Sequence, residues 1–375
     1  MRFLFTCGGT AGHINPAIGV AGRLKELMPD AEFLFIGAEG KMETELVPRE
    51  GYPIRTIEVG NLSRSLSVAG VKHNLDTAKK LLHGSAEARA ILKEFRPDVA
   101  IGTGGYVCYP VLHAAHALHI PTLVHESNAV PGLTTKLLAR SVDCVMVGFE
   151  NVRENYPAHT RVEFTGTPVR TDFIHISREE ARKSLGIPPD RPLLASVWGS
   201  LGSGHINGLM PDFLALAAER GSFHLIHSVG KRDWPALSKT LSARWGGPEP
   251  LKAKGLDLRE YIFDMPAVMA AADLVMCRSG ASTLGELAAL GKPALLVPSP
   301  NVTNHHQEKN ARLLESAGAA RVLLEGEFDA AGLYDAACEL LSHPDTLGEM
   351  CSAMRATGVP DAAARIADLI LDFVK

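Results

Sequence analysis

Short apolar segments alternate with longer helix-like segments along most of this 375-residue chain. A short run rich in β-branched and apolar residues is typical of a strand that is buried on both faces. In the first half of the chain such runs lie at residues 3–6, 33–36, 54–59, 99–102, 122–125 and 145–147. Strands that alternate with helices indicate a parallel sheet covered by helices on both sides. The first half therefore predicts a Rossmann-like, doubly wound domain.

A second series of the same kind follows a Thr-Gly-Thr-Pro turn at residues 165–168 and an amphipathic segment at 178–185. Its apolar runs lie at residues 193–198, 223–228, 258–262, 274–277 and 294–297. We therefore predict an α/β protein of two Rossmann-like domains that face one another across a cleft, where such folds bind ligands. The predicted boundaries are an N-terminal domain at 1–166, a second domain at 167–345, and a helical segment at 346–375 that packs back on the first domain.

Composition excludes several functional classes. The chain has 38 Lys and Arg against 42 Asp and Glu, a formal net charge of −4, so no overall basic field attracts nucleic acid. Its six cysteines form no Cys-x-x-Cys pair, which argues against a zinc site or a disulfide framework and favours a reducing compartment. The apolar run at the N-terminus is too short for an export signal. We expect a cytoplasmic protein without a transmembrane span.

Two predicted strands end in glycine-rich loops that precede a helix. The first loop is CGGTAGH at residues 7–13, before a helix predicted from Pro16, and the second is GSLGSG at 199–204, before a helix predicted from about Asn207. Amides at a helix N-terminus bind anions, but one terminus contributes only about 0.3 to 1 kcal/mol. A diphosphate also needs a cation, for which Arg170 is the candidate, with a surface ion pair as the alternative.

Neither glycine loop has the spacing of a dinucleotide-binding or Walker A motif, which disfavours a dehydrogenase or an ATPase. An ordinary tight turn between strand and helix is the alternative for the first loop. A third strand–loop–helix segment, CRSGASTLGE at 277–286, places Glu286 one turn into its helix. A carboxylate there repels phosphate and suits sugar hydroxyls, although it would also complement the helix dipole.

The polar run NHHQEKN at residues 304–310 offers amide and imidazole donors for sugar hydroxyls. The adjacent His305 and His306 would point to different faces of a helix, and no partner for a metal site accompanies them. We therefore expect no metal ligation there.

Several segments, taken in chain order, are together similar to one family. They are GGTAGHINP near the N-terminus, GTGGY at 102–106, HESNAVPG at 125–132, TGTPVR at 165–170, the GSLGSG loop, CRSGASTLGE, and VTNHHQEKNA at 302–311. They resemble the bacterial MurG family, and the resemblance extends over most of the chain. It implies the two-domain GT-B fold. It also implies transfer of N-acetylglucosamine from UDP-GlcNAc to the undecaprenyl-diphosphate-linked muramyl-pentapeptide (lipid I to lipid II) in peptidoglycan biosynthesis.

The resemblance implies roles for individual residues. It puts UDP on the second domain, with Arg170 and Ser200 at the diphosphate, Glu286 at the ribose and Gln307 near the transferred sugar. Further contacts to the UDP-sugar are expected from Thr10, Gly12 and Asn128. The acceptor side of the first domain is expected to include His13, Glu126 and Asn128, with acceptor loops at Gly9, Gly104, Gly105 and Tyr106.

Transfer to a sugar hydroxyl with inversion needs a base on the acceptor side. His13 is the first candidate, because imidazole is mostly neutral at pH 7, although it would instead stabilise its loop by a hydrogen bond in the alternative interpretation. Glu126 is the competing base if burial raises its pKa. The chain contains no Asp-x-Asp pair, so we expect no tightly bound metal, with a loosely held magnesium ion compatible with the sequence. It departs from the family at Ala11, which is usually glycine, and at His306-Gln307, where some members have two glutamines.

A lipid-linked acceptor requires contact with a membrane surface. Residues 61–96 contain seven basic and three acidic residues with interleaved leucines and valines, a pattern typical of an interfacial amphipathic segment. This predicts a peripheral protein on the cytoplasmic face of the cell membrane. The alternative is a solvated helix whose apolar face joins the core.

Two other functional classes remain open. A nucleotide-sugar epimerase would share the fold and the donor loops but would need no acceptor. A non-enzymatic nucleotide-sugar or lipid-carrier protein is disfavoured by the presence of donor-like and acceptor-like loops in one chain. Dependence of the reaction on an acceptor separates these classes.

Overall fold

The computed structural model describes residues 1–60, 68–150, 152–170, 173, 176–199, 202–302, 305–359 and 361–374. The chain divides into two compact units, Met1–Arg170 together with Asp361–Lys375, and Thr171–Pro360. The boundary predicted after residue 166 falls just before this division. The predicted C-terminal segment, 346–375, is divided between the units: its first part, up to Pro360, belongs to the second unit, and only the part from Asp361 belongs to the first.

The first unit is built on a parallel sheet, which has seven strands within the described residues. The strands are β1 (Arg2–Thr6), β2 (Glu32–Ala38), β3 (Ile54–Ile57), β4 (Val99–Gly102), β5 (Thr122–Glu126), β6 (Cys144–Val147) and β7 (Val162–Phe164). Their order across the sheet is β3-β2-β1-β4-β5-β6-β7. This is the Rossmann order with one added edge strand, so the chain changes direction across the sheet between β1 and β4. Loops that follow these two strands therefore meet at one edge of the sheet.

Helices cover both faces of this sheet. They are α1 (Ala11–Leu27), α2 (Glu43–Arg49), α3 (Val68–Phe95), α4 (Cys108–Ala117), α5 (Leu133–Leu138) and, from the end of the chain, α15 (Ala362–Asp372). Ile366, Ala367 and Ile370 of α15 are fully buried in the core that α1 also lines. Helix α1 begins at Ala11, within the glycine-rich loop, rather than at Pro16 as predicted.

The second unit repeats the design with a parallel sheet, six-stranded within the described residues, in the order β10-β9-β8-β11-β12-β13. Its strands are β8 (Leu193–Val197), β9 (His224–Ser228), β10 (Leu256–Arg259), β11 (Leu274–Cys277), β12 (Ala294–Leu296) and β13 (Ala320–Val322). Its helices are α6 (Arg178–Leu185), α7 (Gly204–Arg220), α8 (Trp234–Trp245), α9 (Glu249–Lys252), α10 (Met265–Ala271), α11 (Ala281–Leu290), α12 (His306–Ser316), α13 (Ala330–Leu341) and α14 (Pro344–Thr357). The described fold is the predicted one, with a Rossmann-like sheet in each unit.

Two strands were not predicted from the sequence. Strands β7 and β13 each have three residues with a charged residue in the middle, Glu163 and Arg321 respectively. Both lie at the edge of a sheet, where one side of the strand stays in contact with water, so an uninterrupted apolar run is not required. The rule that identifies buried central strands therefore fails for short edge strands.

The predicted membrane segment, residues 61–96, falls mainly on α3. The side chains of residues 61–79 and 82 lie outside the described part of the structure, and they include three of the seven basic residues and most of the interleaved leucines and valines of this segment. In the described part, Lys80 forms an ion pair with Glu58 at 3.0 Å, and Leu92 is buried in the core. No helix within the described residues is long and apolar enough to cross a bilayer.

Candidate active site

Two glycine loops meet at the carboxyl ends of the neighbouring strands β1 and β4. The amide of Gly8 donates a hydrogen bond to the carbonyl of Gly104 at 3.2 Å. Gly105 has a φ of +89°, and a Cβ there would overlap the carbonyl oxygen of Gly8. Only glycine combines this backbone conformation with such a close approach. The two predicted loops, with Gly9 on one and Tyr106 on the other, are thus brought together as a single structure.

His13 lies in the first turn of α1, against this pair of loops. Its Nδ1 is 2.9 Å from the carbonyl oxygen of Gly8. A carbonyl oxygen only accepts hydrogen bonds, so Nδ1 carries the hydrogen and the neutral ring presents Nε2 as its acceptor nitrogen. A Cβ on Gly104 would lie 2.5 Å from His13 Cδ2, so the absence of a side chain there leaves room for the ring. The hydrogen bond from Nδ1 to Gly8 therefore does two things: it stabilises the loop, and it holds the ring in the tautomer that a base requires.

Thr10 and Gly12 precede His13 at the start of α1, where Thr10 is the residue before the helix. Thr10 is exposed and its hydroxyl is 3.5 Å from His13 Nδ1. The hydroxyl of Thr103, from the end of β4, donates to the backbone carbonyl of His13 at 2.7 Å. The position of His13 is therefore set by both loops.

Glu43, the first residue of α2, is fully buried beneath the first loop and was not identified from the sequence. One of its oxygens accepts the amide of Gly9 at 3.1 Å and the other accepts the amide of Ala38 at 2.9 Å. A Cβ on Gly8 would lie 2.6 Å from Glu43 Oε1, so the carboxylate occupies space that glycine leaves. Burial, together with the charge of Glu43, raises the pKa of Tyr106. Glu43 thus fixes the first loop through a buried charge.

Glu126 ends β5 and is almost completely buried. Its Oε1 accepts hydrogen bonds from the backbone amide and the side-chain amide of Asn128, at 3.0 and 2.9 Å. Its Oε2 accepts the amide of Gly132 at 3.0 Å and the hydroxyl of Thr135 at 2.7 Å. Two donors on each oxygen fill the four acceptor positions of a carboxylate. This geometry fits an organiser of the 126–135 loop better than the competing base predicted from the sequence.

The neighbouring His125 links this loop to the turn that leads to Arg170. His125 is buried, its Nε2 donates to the carbonyl of Gly166 at 2.9 Å, and its Nδ1 accepts from Ser127 Oγ at 3.2 Å. Burial lowers the pKa of His125, which keeps the ring neutral. Arg170 is exposed and is the last residue of this part of the first unit.

In the second unit, the GSLGSG loop connects β8 to α7. Ser200, predicted to contact the diphosphate, lies outside the described residues. On either side of it, Gly199 and Gly202 have φ values of +76° and +75°. Ser203 then caps α7, accepting the amide of Ile206 at 3.4 Å, so the helix begins at Gly204 rather than near Asn207. A capped helix N-terminus directly after a glycine loop is a typical anion-binding element.

Arg278, which follows β11, contacts the end of this loop. Its guanidinium donates to Ser203 Oγ at 2.8 Å and to the carbonyl of Val297 at 2.9 Å. It also forms an ion pair with Glu325 and lies 5.6 Å from the ring centre of Trp198. From the sequence, Arg278 was recognisable only as part of the CRSGASTLGE segment, because an arginine after a strand does not indicate which loops it will contact. The side chain of Arg278 thus contacts the loops that follow β8, β12 and β13.

Gln307 and Glu286 lie on helices that begin near the ends of β11 and β12. The side chain of Gln307 accepts the amide of Ser299 at 2.9 Å, and its carbonyl accepts Ser279 Oγ at 2.8 Å. Glu286 is half-buried in α11, and its charge adds to burial in raising the pKa of Cys277. The predicted ribose and sugar segments are therefore adjacent, while the grouping of Arg170 and Ser200 at the diphosphate and Glu286 at the ribose of one UDP stays a prediction.

A cavity of about 490 Å³ lies at the opposite, amino-terminal edge of the second sheet. Arg178 and Lys292 line it, but Arg178 pairs with Asp273 at 2.6 Å, and Lys292 donates to two backbone carbonyls at the end of α10. No predicted site residue lines this cavity. Within the described residues, no group of three or more His, Cys, Asp or Glu side chains is arranged to hold a metal ion.

Comparison with known proteins defines the class. The model of the glycosyltransferase family 28 N-terminal domain matches residues 3–147, and that of the family 28 C-terminal domain matches residues 196–366. Each match covers most of one Rossmann-like unit with its glycine loop, and the second match also extends to residue 366, into the segment that joins the first unit. The two family matches thus define a two-domain glycosyltransferase.

Full-length relatives narrow this class. The chain is 42% identical over 375 residues to the UDP-N-acetylglucosamine--N-acetylmuramyl-(pentapeptide) pyrophosphoryl-undecaprenol N-acetylglucosamine transferase of Acetivibrio thermocellus, covering 100% of this chain and 99% of the relative. The crystal structure of Acinetobacter baumannii MurG is 29% identical, with a TM-score of 0.76 over 99% of both chains. The chain belongs to the MurG family.

The fold alone does not distinguish this family from another class. The UDP-GlcNAc 2-epimerase of Neisseria meningitidis, solved bound to UDP-GlcNAc, is 15% identical with a TM-score of 0.67, covering 99% of this chain and 100% of that one. That likeness shows a shared fold and nothing about the reaction. The family, the fold and the glycosyltransferase class predicted from the sequence are confirmed, and the roles of individual residues stay predictions.

Proposed function

We propose that this chain transfers N-acetylglucosamine from UDP-GlcNAc, with inversion, to a muramyl-pentapeptide carried on pyrophosphoryl-undecaprenol. The observation that carries this proposal is the 42% identity, over the whole chain, to a relative that bears the name of this transferase. The meeting of the two glycine loops around His13 supports it, because a transferase needs a base beside its acceptor.

In this mechanism the first unit supplies the base. The acceptor hydroxyl oxygen forms the new bond to the anomeric carbon, and its proton passes to Nε2 of His13. The bond between the anomeric carbon and the diphosphate oxygen breaks, and its electron pair leaves with UDP. The hydrogen bond from Nδ1 to Gly8 keeps the hydrogen on that nitrogen, so the ring can accept a proton only at Nε2. General base catalysis of this kind contributes about 10² to 10⁴ in rate.

Backbone amides, a hydroxyl and a guanidinium stabilise the leaving group. The amides at the start of α7, the hydroxyl of Ser200 and the guanidinium of Arg170 are the proposed partners of the diphosphate, with Glu286 at the ribose and Gln307 near the sugar. Replacing Arg170→Ala is expected to lower turnover at least about tenfold, or about 1.4 kcal/mol. Arg244→Ala is the matched control, because Arg244 is a surface arginine paired with Asp212. A smaller loss in R170A than tenfold would contradict the charge role.

The proposed reaction uses no tightly bound metal ion, with magnesium at most loosely held on the diphosphate. This proposal rests on the absence of an Asp-x-Asp pair from the sequence. Transfer after exhaustive chelation is expected to stay within about threefold of the untreated rate. A complete loss that magnesium restores would contradict the proposal.

We also propose peripheral binding to the cytoplasmic face of the membrane through the basic segment at residues 61–96. Basic residues near an anionic surface contribute about 1 kcal/mol each. Co-sedimentation with liposomes should increase with anionic lipid and decrease with salt. Binding that is insensitive to both would exclude this segment as an electrostatic anchor.

The decisive experiment for the function follows a radiolabel in the sugar of UDP-GlcNAc. Label should move to a lipid-linked muramyl-peptide analogue, and UDP should be released only when that acceptor is present. Conversion of UDP-GlcNAc to an isomer without acceptor would indicate an epimerase. Donor binding without transfer would indicate a carrier protein.

A further inference from the structure

A chain of hydrogen bonds lies buried beneath the GSLGSG loop of the second unit. The indole Nε1 of Trp198 donates to Ser196 Oγ at 2.7 Å. Ser196 Oγ is 2.8 Å from Nδ1 of His227, and Nε2 of His227 is 3.1 Å from the side-chain oxygen of Asn207. Ser196 and His227 have no exposed surface. The chain thus links three elements, β8, β9 and α7, through side chains alone.

The hydrogen bonds of this chain all run in one direction. The side-chain nitrogen of Asn207 donates to the carbonyl of Val229 at 2.8 Å and to the carboxylate of Asp233 at 2.9 Å, so its oxygen faces His227. That oxygen only accepts, so Nε2 of His227 carries the hydrogen and Nδ1 accepts from Ser196. Ser196 in turn accepts from Trp198. Each group has the partner that its neighbour requires, which is the condition for a buried polar network to give a unique structure.

The two ends of this chain bracket the glycine loop. Trp198 is the residue directly before the loop, and Asn207 lies in the first turn of the helix that follows it. Gly202, inside the loop, packs against the carbonyl of Val229 so closely that a Cβ would overlap the oxygen. This is the same carbonyl that Asn207 holds. The entry and the exit of the loop are therefore linked through His227, and one interior point of the loop contacts a carbonyl that Asn207 binds.

The chain holds the loop without placing a charge at its centre. Burial lowers the pKa of His227 to about 3, so the ring is neutral near pH 7. The carboxylate at the far end, Asp233, is paired with Arg232 at 2.8 Å. An uncharged support suits a loop that receives an anion, because a buried negative charge would repel it.

We propose that His227 is a positioning residue for the nucleoside diphosphate of the donor, fixing Trp198 and Asn207 so that Gly199, Gly202 and the amides at the start of α7 keep their geometry. This inference rests on the proposed function, in which the second unit binds the UDP-sugar. His227 does not touch the reacting atoms and acts through the loop alone.

The test is the variant His227→Gln, measured by calorimetric titration with UDP and by steady-state kinetics. Glutamine can still donate to Asn207 but leaves Ser196 without its acceptor. We expect the Kd for UDP and the KM for UDP-GlcNAc to rise about tenfold. The KM for the acceptor and kcat at saturating donor should stay within about threefold.

His224→Gln is the matched control. His224 is also buried and belongs to the same strand, but it lies at the other end of β9, where its Nε2 is 2.8 Å from Asp190. H224Q should lose thermal stability without weakening UDP binding. An equal effect of H227Q and H224Q on UDP binding would reduce His227 to a residue of general stability and overturn the inference.

Ser196→Ala is a second, independent test of the inference that can be used even if H227Q does not fold. It removes a single hydroxyl from the hydrogen-bond chain. S196A should weaken UDP binding, and wild-type affinity in S196A would overturn the inference. If the wild-type chain binds neither UDP nor UDP-GlcNAc, the proposed function itself fails. If the wild type binds UDP and transfers sugar while H227Q matches it, only the role of His227 fails.

Discussion

The two glycine loops occupy equivalent places in the two units, but the side chains beneath them differ in charge. Under the first loop lies the carboxylate of Glu43, which binds the Gly9 amide. Under the second lies the neutral chain through His227. A buried carboxylate repels a nearby phosphate and also uses an amide that a phosphate would need. The difference supports our proposal that the diphosphate binds at the second loop and that the first loop holds the base.

The strongest test of this contrast is His13→Ala in the first loop. Loss of the base should lower kcat by about 10² to 10⁴, while the Kd for UDP stays within about twofold. Single-turnover transfer and titration with UDP measure the two quantities. A parallel loss of UDP binding would mean that the first loop serves the donor after all.

Gly105→Ala tests whether the first loop depends on its partner loop. A Cβ would overlap the Gly8 carbonyl, so we expect a loss of at least about 2 kcal/mol in stability and a higher acceptor KM. Gly9→Ala is the matched control, because Gly9 has a φ of +88° but its Cβ would meet only Tyr106 at an ordinary 3.8 Å. That variant should lose about 1 kcal/mol, the cost of a left-handed alanine. Equal losses in denaturant unfolding would exclude the loop contact as the cause.

Glu43→Gln sharpens the comparison of charges. Glutamine can accept only one of the two amides that the carboxylate binds and turns a donor toward the other, at a cost of about 1 to 2 kcal/mol. Hydrogen exchange should quicken at Ala38 and in the first loop. The acceptor KM should rise while the Kd for UDP stays unchanged. Weaker UDP binding in E43Q would contradict the separation of roles.

At pH values just below neutral, the smallest expected effect is on the pH dependence of stability. The pKa of His227 is about 3 in the folded chain and about 6.5 when unfolded, so the unfolded state binds more protons between these values. The stability of the second unit should therefore fall by about 1 kcal/mol for each pH unit below 6.5 from this group. All three tryptophans, Trp198, Trp234 and Trp245, belong to the second unit, so their fluorescence reports its unfolding. H227Q should show a shallower acid dependence than H224Q.

Central strands and the loops that follow them were predictable from the sequence, because a strand buried on both faces must be apolar throughout and its glycine turn must precede a helix. The meeting of the loops at Gly8 and Gly104 follows from the order of β1 and β4. Glu43 was not predictable, because a glutamate in the first turn of a helix usually complements the helix dipole in water. His227 within an apolar strand likewise gives no sign of its partners, which come from β8 and α7.

Glu126 was identified from the sequence, but its hydrogen-bond partners were not. Its position after a strand, next to asparagine, made it a reasonable base by residue type. The four donors that surround it come from residues up to nine positions further along the chain, and only the folded loop brings them to one carboxylate. Residue type identifies groups capable of a reaction, while hydrogen-bond partners decide which of them are engaged elsewhere.

The contribution of α15 to the first unit affects the order in which the chain can fold during synthesis. Ile366, Ala367 and Ile370 complete a core whose other buried members, from Phe3 to Met146, precede the second unit in the sequence. The second unit lies wholly between them and is continuous in sequence. Since domains fold as units while the ribosome extends the chain, the second unit can close its core first. The first unit can therefore complete its core only after α15 has been synthesised, and until then the apolar residues of α1 that pack against α15 lack these partners.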